Sequence, residues 1–127
     1  MELSFTYRAR DFAHACEIVR AIYAYQGAGH SVGYHGASEE RILHLGLTLP
    51  VSRVIVNQAH CIATGGSFDN GLPFSLSMGC GTWGGNSFSD NLHYRHFMNI
   101  TRIVRTIPER RPTEEDVFGP YWKKYGK

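Results

Sequence analysis

The side chains able to do chemistry in this 127-residue sequence are three cysteines and seven histidines, with a glycine string in their midst. Cys61 and Cys80 have the residue type of a covalent nucleophile. A reactive thiolate needs a base, a cation or a helix N-terminus beside it to lower its pKa. His60 directly precedes Cys61, but adjacent side chains on an extended chain point to opposite faces. Cys80 lies between Gly79 and Gly81, where the backbone is tight. Both read as structural thiols, while Cys16 falls on an apolar helical stripe and reads as core. His60 with Cys61, and His93 with His96, are close in sequence, yet no spacing fits a structural zinc site and no metal is expected. No Ser–His–Asp, paired-carboxylate or Walker pattern stands out. Arg53, Arg102 and Arg105 have the chemistry to meet an anion.

The string GCGTWG over residues 79–84 satisfies GxGxxG, the dinucleotide fingerprint. That fingerprint also needs a strand directly before it, a helix directly after it and an acidic residue about 20 positions on. Residues 73–78 are only partly strand-like, and residues 85–91 make a poor helix. A phosphate-binding loop over residues 79–85 therefore stands as one reading, which calorimetry with NAD, NADP and CoA decides.

The elements that must position these groups are legible from periodicity. Residues 3–7 alternate as a short strand, and the chain enters it so directly that it reads as cut from something longer. Asp11 offers an N-cap, and Phe12, Ala15, Cys16, Val19, Ile22 and Tyr23 follow at helical spacing until Gly27 and Gly29. Residues 30–35 read as a strand. Ser38 caps a second helix, with Glu39 and Glu40 in its first turn and Ile42, Leu43, Leu45 and Leu47 along it, ended by Pro50. The β-branched run 53–57 reads as a buried strand. Strand, helix, strand, helix, strand is the alternation of an α/β layer with parallel strands.

After Asn57 the texture changes. Residues 65–85 hold seven of the fourteen glycines. They also hold Phe68, Leu72, Phe74, Leu76, Met78 and Trp83, too much apolar surface for disorder, so an ordered loop is expected. A strand over residues 98–106 follows, closed by Pro108. Thr113 with Asp116 caps one last turn that Gly119-Pro120 stops.

Composition fits one globular domain, with 43% hydrophobic and 19% charged residues. A net charge of +2, dispersed along the chain, gives no footprint for nucleic acid. Lys123, Lys124 and Lys127 sit among Tyr121, Trp122 and Tyr125 and read as a solvated terminus. No apolar run approaches the roughly 18–20 residues of a membrane helix, and the N-terminus is not a signal peptide. An odd number of cysteines without CxxC spacing reads as reduced thiols in a cytoplasmic protein.

The run 53–57, then Gly65-Gly66, then residues 76–87 with the string GCGTWGGNS resemble the C-terminal region of CoA-acylating aldehyde dehydrogenases. Residues 7–12 and Gly29-His30 resemble the same family in the same order, so the likeness spans about residues 7–105. Residues 57–74 resemble the sulfoacetaldehyde (acylating) branch in particular. The resemblance implies part of an aldehyde-dehydrogenase catalytic domain: α/β, a mostly parallel sheet with flanking helices and a long Gly-rich loop, over residues 1–107, with a tail over 108–127. It implies that aldehyde, CoA and NAD or NADP become acyl-CoA and NAD(P)H, through a nucleophilic cysteine that lies upstream of the matched region. No catalytic residue is then expected in this chain, its cofactor-binding residues are unknown, and no cofactor is expected to bind it tightly. Residues 65–87 would line the substrate channel, with Phe74, Trp83 and Asn86 as its wall. The alternative is a tight crossover packed under Trp83 with no ligand role.

Two partner readings follow from the resemblance. The chain would act with small-molecule aldehyde and CoA when joined to a missing N-terminal part, and be inactive alone. Alternatively it would be a non-catalytic module forming homo-oligomers through the strand 98–106, whose open edge is a template for pairing.

Overall fold

The computed structural model describes residues 5–127. Of the strand expected over residues 3–7, residues 3 and 4 lie outside the described residues. Residues 5–7 are irregular, with Phe5 and Tyr7 largely exposed and no neighbouring strand to pair with.

Helix α1 spans Phe12–Gln26, capped by Asp11, whose side chain accepts from the backbone N–H of His14. Gly27 ends it at φ 104°, and its N–H donates to the carbonyl of Tyr23. Strand β1, Val32–Tyr34, pairs in parallel with β2, Val54–Val56, in the register Val32 to Val54. Helix α2, Glu39–Thr48, is the crossover a parallel pair requires. Ser38 caps it through the N–H of Arg41. Helix α3 is the single turn His60–Ala63.

The core lies where α1 and α2 meet the strand pair. Cys16, Val32, Leu45, Leu49 and Val51 are buried together, with Phe12, Val19, Tyr23, Tyr34 and Val54 packed around them. Only part of each predicted stripe is used: Leu43 is 63% and Leu47 75% exposed on α2. Two strands have no further strand among the described residues to cover the rest.

The C-terminal third departs from the sequence reading twice. Residues 98–106 form no strand: among the described residues none pairs with them to make the ladder a strand needs, and Ile100, Ile103, Val104 and Ile107 stay exposed. Pro120 does not stop the last helix: α4 runs Glu114–Tyr125 with Pro120 inside it. A capping box starts α4, Thr113 accepting from the N–H of Asp116 while the carboxylate of Asp116 accepts from Thr113. The hydrogen bond that Pro120 cannot donate would have gone to Asp116, an exposed position where water can take it. No described helix is long and apolar enough to cross a membrane.

Candidate functional site

The glycine-dense region is ordered. Residues 77–92 fold back on themselves as an antiparallel ribbon. The N–H of Leu92 donates to Ser77 at 2.8 Å, that of Gly79 to Asp90 at 2.9 Å and that of Gly81 to Phe88 at 3.0 Å. Thr82–Gly84 makes a 3-10 turn at the tip, which Gly85 leaves at φ 71°, a left-handed conformation that favours glycine. Gly79 allows the two arms to close, since a Cβ there would collide with the carbonyl oxygen of Phe88.

Asn86 holds the tip. Its Oδ1 accepts from the backbone N–H of Cys80 at 2.7 Å, and its Nδ2 donates to the carbonyl of Gly84. Trp83, 54% exposed, and Asn86 share a shallow cavity of about 260 Å³ with Gly81, Thr82, Phe88 and Ser89. Phe74 does not line that cavity; its ring meets Phe68 edge-on at 4.9 Å. Of the three expected wall residues, Trp83 and Asn86 come together and Phe74 stands elsewhere on the same loop.

What fixes the ribbon to the core is Arg53, one of three arginines whose chemistry could have met an anion. Arg53, 6% exposed on the approach to β2, spends its guanidinium on internal acceptors. Nε donates to Asn91 Oδ1 at 2.9 Å, Nη1 to the carbonyls of Gly79 at 3.0 Å and His30 at 3.3 Å, and Nη2 to Ser89 at 3.1 Å. Arg53 is therefore not available to a bound anion. Asn91, 1% exposed, continues the clamp through Nδ2 to the carbonyls of Thr64 at 2.9 Å and Pro73 at 2.8 Å. Among the described residues no carboxylate lies within ion-pair distance of Arg53. Burial lowers its pKa, and the nearby Cys80 and Asp90 pull it back up. Carbonyl dipoles from three segments, at His30, Gly79 and Ser89 with Asn91, carry the solvation that water would have given.

The same ribbon disposes of the dinucleotide reading. A 3-10 turn and a returning arm follow the glycines, so the helix N-terminus that would hold a pyrophosphate is missing. The residues present do not fit NAD(P), and no chemical step is drawn through it.

The thiols are free cysteines: Cys16 buried, Cys61 exposed and Cys80 between. His60 and Cys61 share α3, a helical turn rather than the extended chain expected, and they diverge because neighbours on a helix lie about 100° apart. His60 turns instead to a partner 29 positions away in sequence: its Nε2 lies 2.8 Å from Ser31 Oγ. Ser31 Oγ also lies 2.6 Å from His30 Nδ1, and the phenol of Tyr23 donates to the carbonyl of Ser31 at 2.6 Å. Burial, then the neighbouring His30 and His35, lower the pKa of His60. A cavity of about 250 Å³ bounded by Val19, Ile22, Tyr23, Gly33, Ser31 and His60 opens on the pair. No local motif marks it, because the β1–α2–β2 crossover supplies the proximity. Among the described residues, no three His, Cys, Asp or Glu side chains cluster as a metal site.

No protein-family model matches the chain. It is 64% identical over 121 residues to a sulfoacetaldehyde dehydrogenase (acylating) of Cupriavidus necator, covering 95% of this chain and 24% of that protein. It is 45% identical over 109 residues to a succinate-semialdehyde dehydrogenase (acetylating) of Clostridium kluyveri, covering 85% of this chain and 24% of the relative. Among solved structures, a probable aldehyde dehydrogenase of Listeria monocytogenes superposes with a TM-score of 0.73 at 35% identity, over 87% of this chain and 23% of that one. The chain thus spans about a quarter of the length of the relatives it matches.

Proposed function

We propose, from its match over 95% of its length to a segment of a CoA-acylating aldehyde dehydrogenase, that this chain is the C-terminal segment of such an enzyme, of the sulfoacetaldehyde type. The reaction is aldehyde, CoA and NAD(P)+ to acyl-CoA and NAD(P)H. A thiolate on polypeptide upstream of the matched region attacks the aldehyde carbon. That upstream polypeptide would also hold NAD(P)+, which would supply the hydride acceptor, while CoA would supply the thiol that carries the acyl group away. This chain supplies a wall of the substrate channel through Trp83 and Asn86 on the clamped ribbon, with Phe74 on the preceding loop. It supplies neither nucleophile nor nicotinamide site, and is inactive alone in this reaction.

The observation that carries the reading is the 64% identity over 121 residues, which includes the ribbon that Arg53 and Asn91 tie to the core. One buried guanidinium donates to three backbone carbonyls and to the Asn91 amide oxygen to hold that ribbon. The test is a chimera. This chain replaces the matching segment of the Cupriavidus necator enzyme, and aldehyde- and CoA-dependent NAD(P) reduction is followed. Turnover is expected to survive, with Trp83→Ala or Asn86→Ala lowering kcat/KM about 10-fold, roughly 1.4 kcal/mol. A folded chimera without turnover overturns the reading.

A second reading, a docking or oligomerisation module, draws on the exposed run from Met98 to Ile107. Met98, Ile100, Ile103, Val104 and Ile107 are 55%, 61%, 84%, 87% and 77% exposed. Such a run forms a strand only when a partner supplies the edge. Light scattering behind size exclusion separates the readings: a clean monomer at high concentration removes this one.

A further inference from the structure

Ser31 and His60 lie outside the ribbon, and the proposed dehydrogenase reaction uses neither. Their geometry is that of an activated hydroxyl. Oγ of Ser31 sits 2.8 Å from the Nε2 of His60, within reach for direct proton transfer. His30 Nδ1 lies 2.6 Å away on the other side of the same oxygen, and a proton on that nitrogen directs the Ser31 hydroxyl hydrogen toward His60. The hydrogen bond from Tyr23 to the carbonyl of Ser31 fixes the backbone that carries the hydroxyl. His60 is half-buried with its ring close against Gly33, where an added Cβ would meet Nδ1 at 2.6 Å. The cavity over the pair is walled by Val19, Ile22 and Tyr23, apolar surface sized for a short acyl chain.

We propose that Ser31 is a nucleophile and His60 its general base in a second, cofactor-independent site of this chain, which hydrolyses short-chain carboxylic esters. Oγ of Ser31 attacks the ester carbonyl carbon while its proton passes to His60 Nε2. The carbon–oxygen bond to the leaving group breaks, and His60 returns the proton to the departing oxygen. Water then attacks the acyl-serine, giving its proton to His60. The acyl–Oγ bond breaks, Ser31 recovers the proton from His60, and the acid leaves. No oxidant or cofactor enters, so this chemistry is independent of the aldehyde reaction and of the chain's place in a longer enzyme. Burial, then His30 and His35, lower the pKa of His60, which favours the neutral ring that can accept the proton. His30 acts through Ser31 and is a positioning residue.

The test uses the 127-residue chain. It is treated with a fluorophosphonate, which labels activated serines, and the adduct is located by peptide mass spectrometry. One adduct is expected, on Ser31. It persists in Cys61→Ser and is lost in His60→Gln. In parallel, hydrolysis of 4-nitrophenyl acetate is expected to fall about 100-fold in Ser31→Ala and in His60→Gln, the share that nucleophile activation by a base supplies. His30→Gln should lower the rate less while leaving the labelled residue unchanged. Because the label is located on the unsubstituted protein, a variant that misfolds does not decide the outcome. No adduct, an adduct on another residue, or hydrolysis unchanged in folded Ser31→Ala would overturn the proposal.

Discussion

Arg53 carries its charge into the interior to meet backbone oxygens and one amide, with no carboxylate in ion-pair reach among the described residues. Removing it leaves the buried carbonyl of Gly79, the part-buried carbonyl of Ser89 and the buried Asn91 amide oxygen without that donor. Arg53→Met should therefore cost about 3 kcal/mol in urea unfolding, the penalty for orphaning several buried groups at once. A loss below about 0.5 kcal/mol would show that the clamp is not what holds the ribbon. Asn91→Leu should be similarly costly, and the double variant less than additive, since the two share a bond. His60 gives a pH signature. Its folded pKa lies below the ordinary histidine value, so the unfolded chain binds the proton more readily. Stability from this group is full above about pH 6.5 and declines as pH falls below it. Thermal melts from pH 7.5 to 5.5 should show a steeper fall for the wild type than for His60→Gln; identical slopes would contradict the assignment. Sequence alone revealed Cys16 as core and Asp11 and Ser38 as caps, because those roles depend on neighbours a few positions away. It did not show the clamp role of Arg53, whose partner Asn91 is 38 positions distant, and it missed Ser31 with His60 for the same reason.

At the scale of elements, α1 and α2 were legible because stripe, cap and glycine stop agree with one another. The parallel pair was legible from the β-branched run 54–56, whose hydrophobicity suits a strand covered on both faces. Residues 98–106 carry the same β-branched signal and form no strand, since propensity acts only when a neighbouring strand completes the ladder. Their amides, and those up to residue 112, make no backbone hydrogen bond after that of Met98 to Arg95 among the described residues. Hydrogen exchange should find 99–112 unprotected while 32–34 and 54–56 exchange slowly; slow exchange over 99–112 would reveal a partner already in place. Helix α4 carries its own start signal in Thr113 and Asp116, which sequence reading saw, but its length past Pro120 it did not. Thr113→Ala should reduce helical circular dichroism, at a cost of about 1 kcal/mol to α4. The urea midpoint of the core should stay put, because α4 makes no substantial contact with another element.

The whole molecule is under-covered for its apolar content. Two strands, one small core and exposed Ile62, Phe68, Leu76 and Phe97 leave surface that a longer relative has the polypeptide to cover. About three quarters of each of the Cupriavidus necator and Clostridium kluyveri relatives has no counterpart here. The most direct measurement mixes two purified polypeptides: this chain, and the Cupriavidus necator enzyme truncated before its matching segment. Sulfoacetaldehyde- and CoA-dependent reduction of NAD(P) is then recorded for each alone and for both together. No signal from this chain alone, and turnover that appears only with the mixture, is the predicted result. Turnover by this chain alone would contradict the account, because it would place nucleophile and nicotinamide site within these 127 residues.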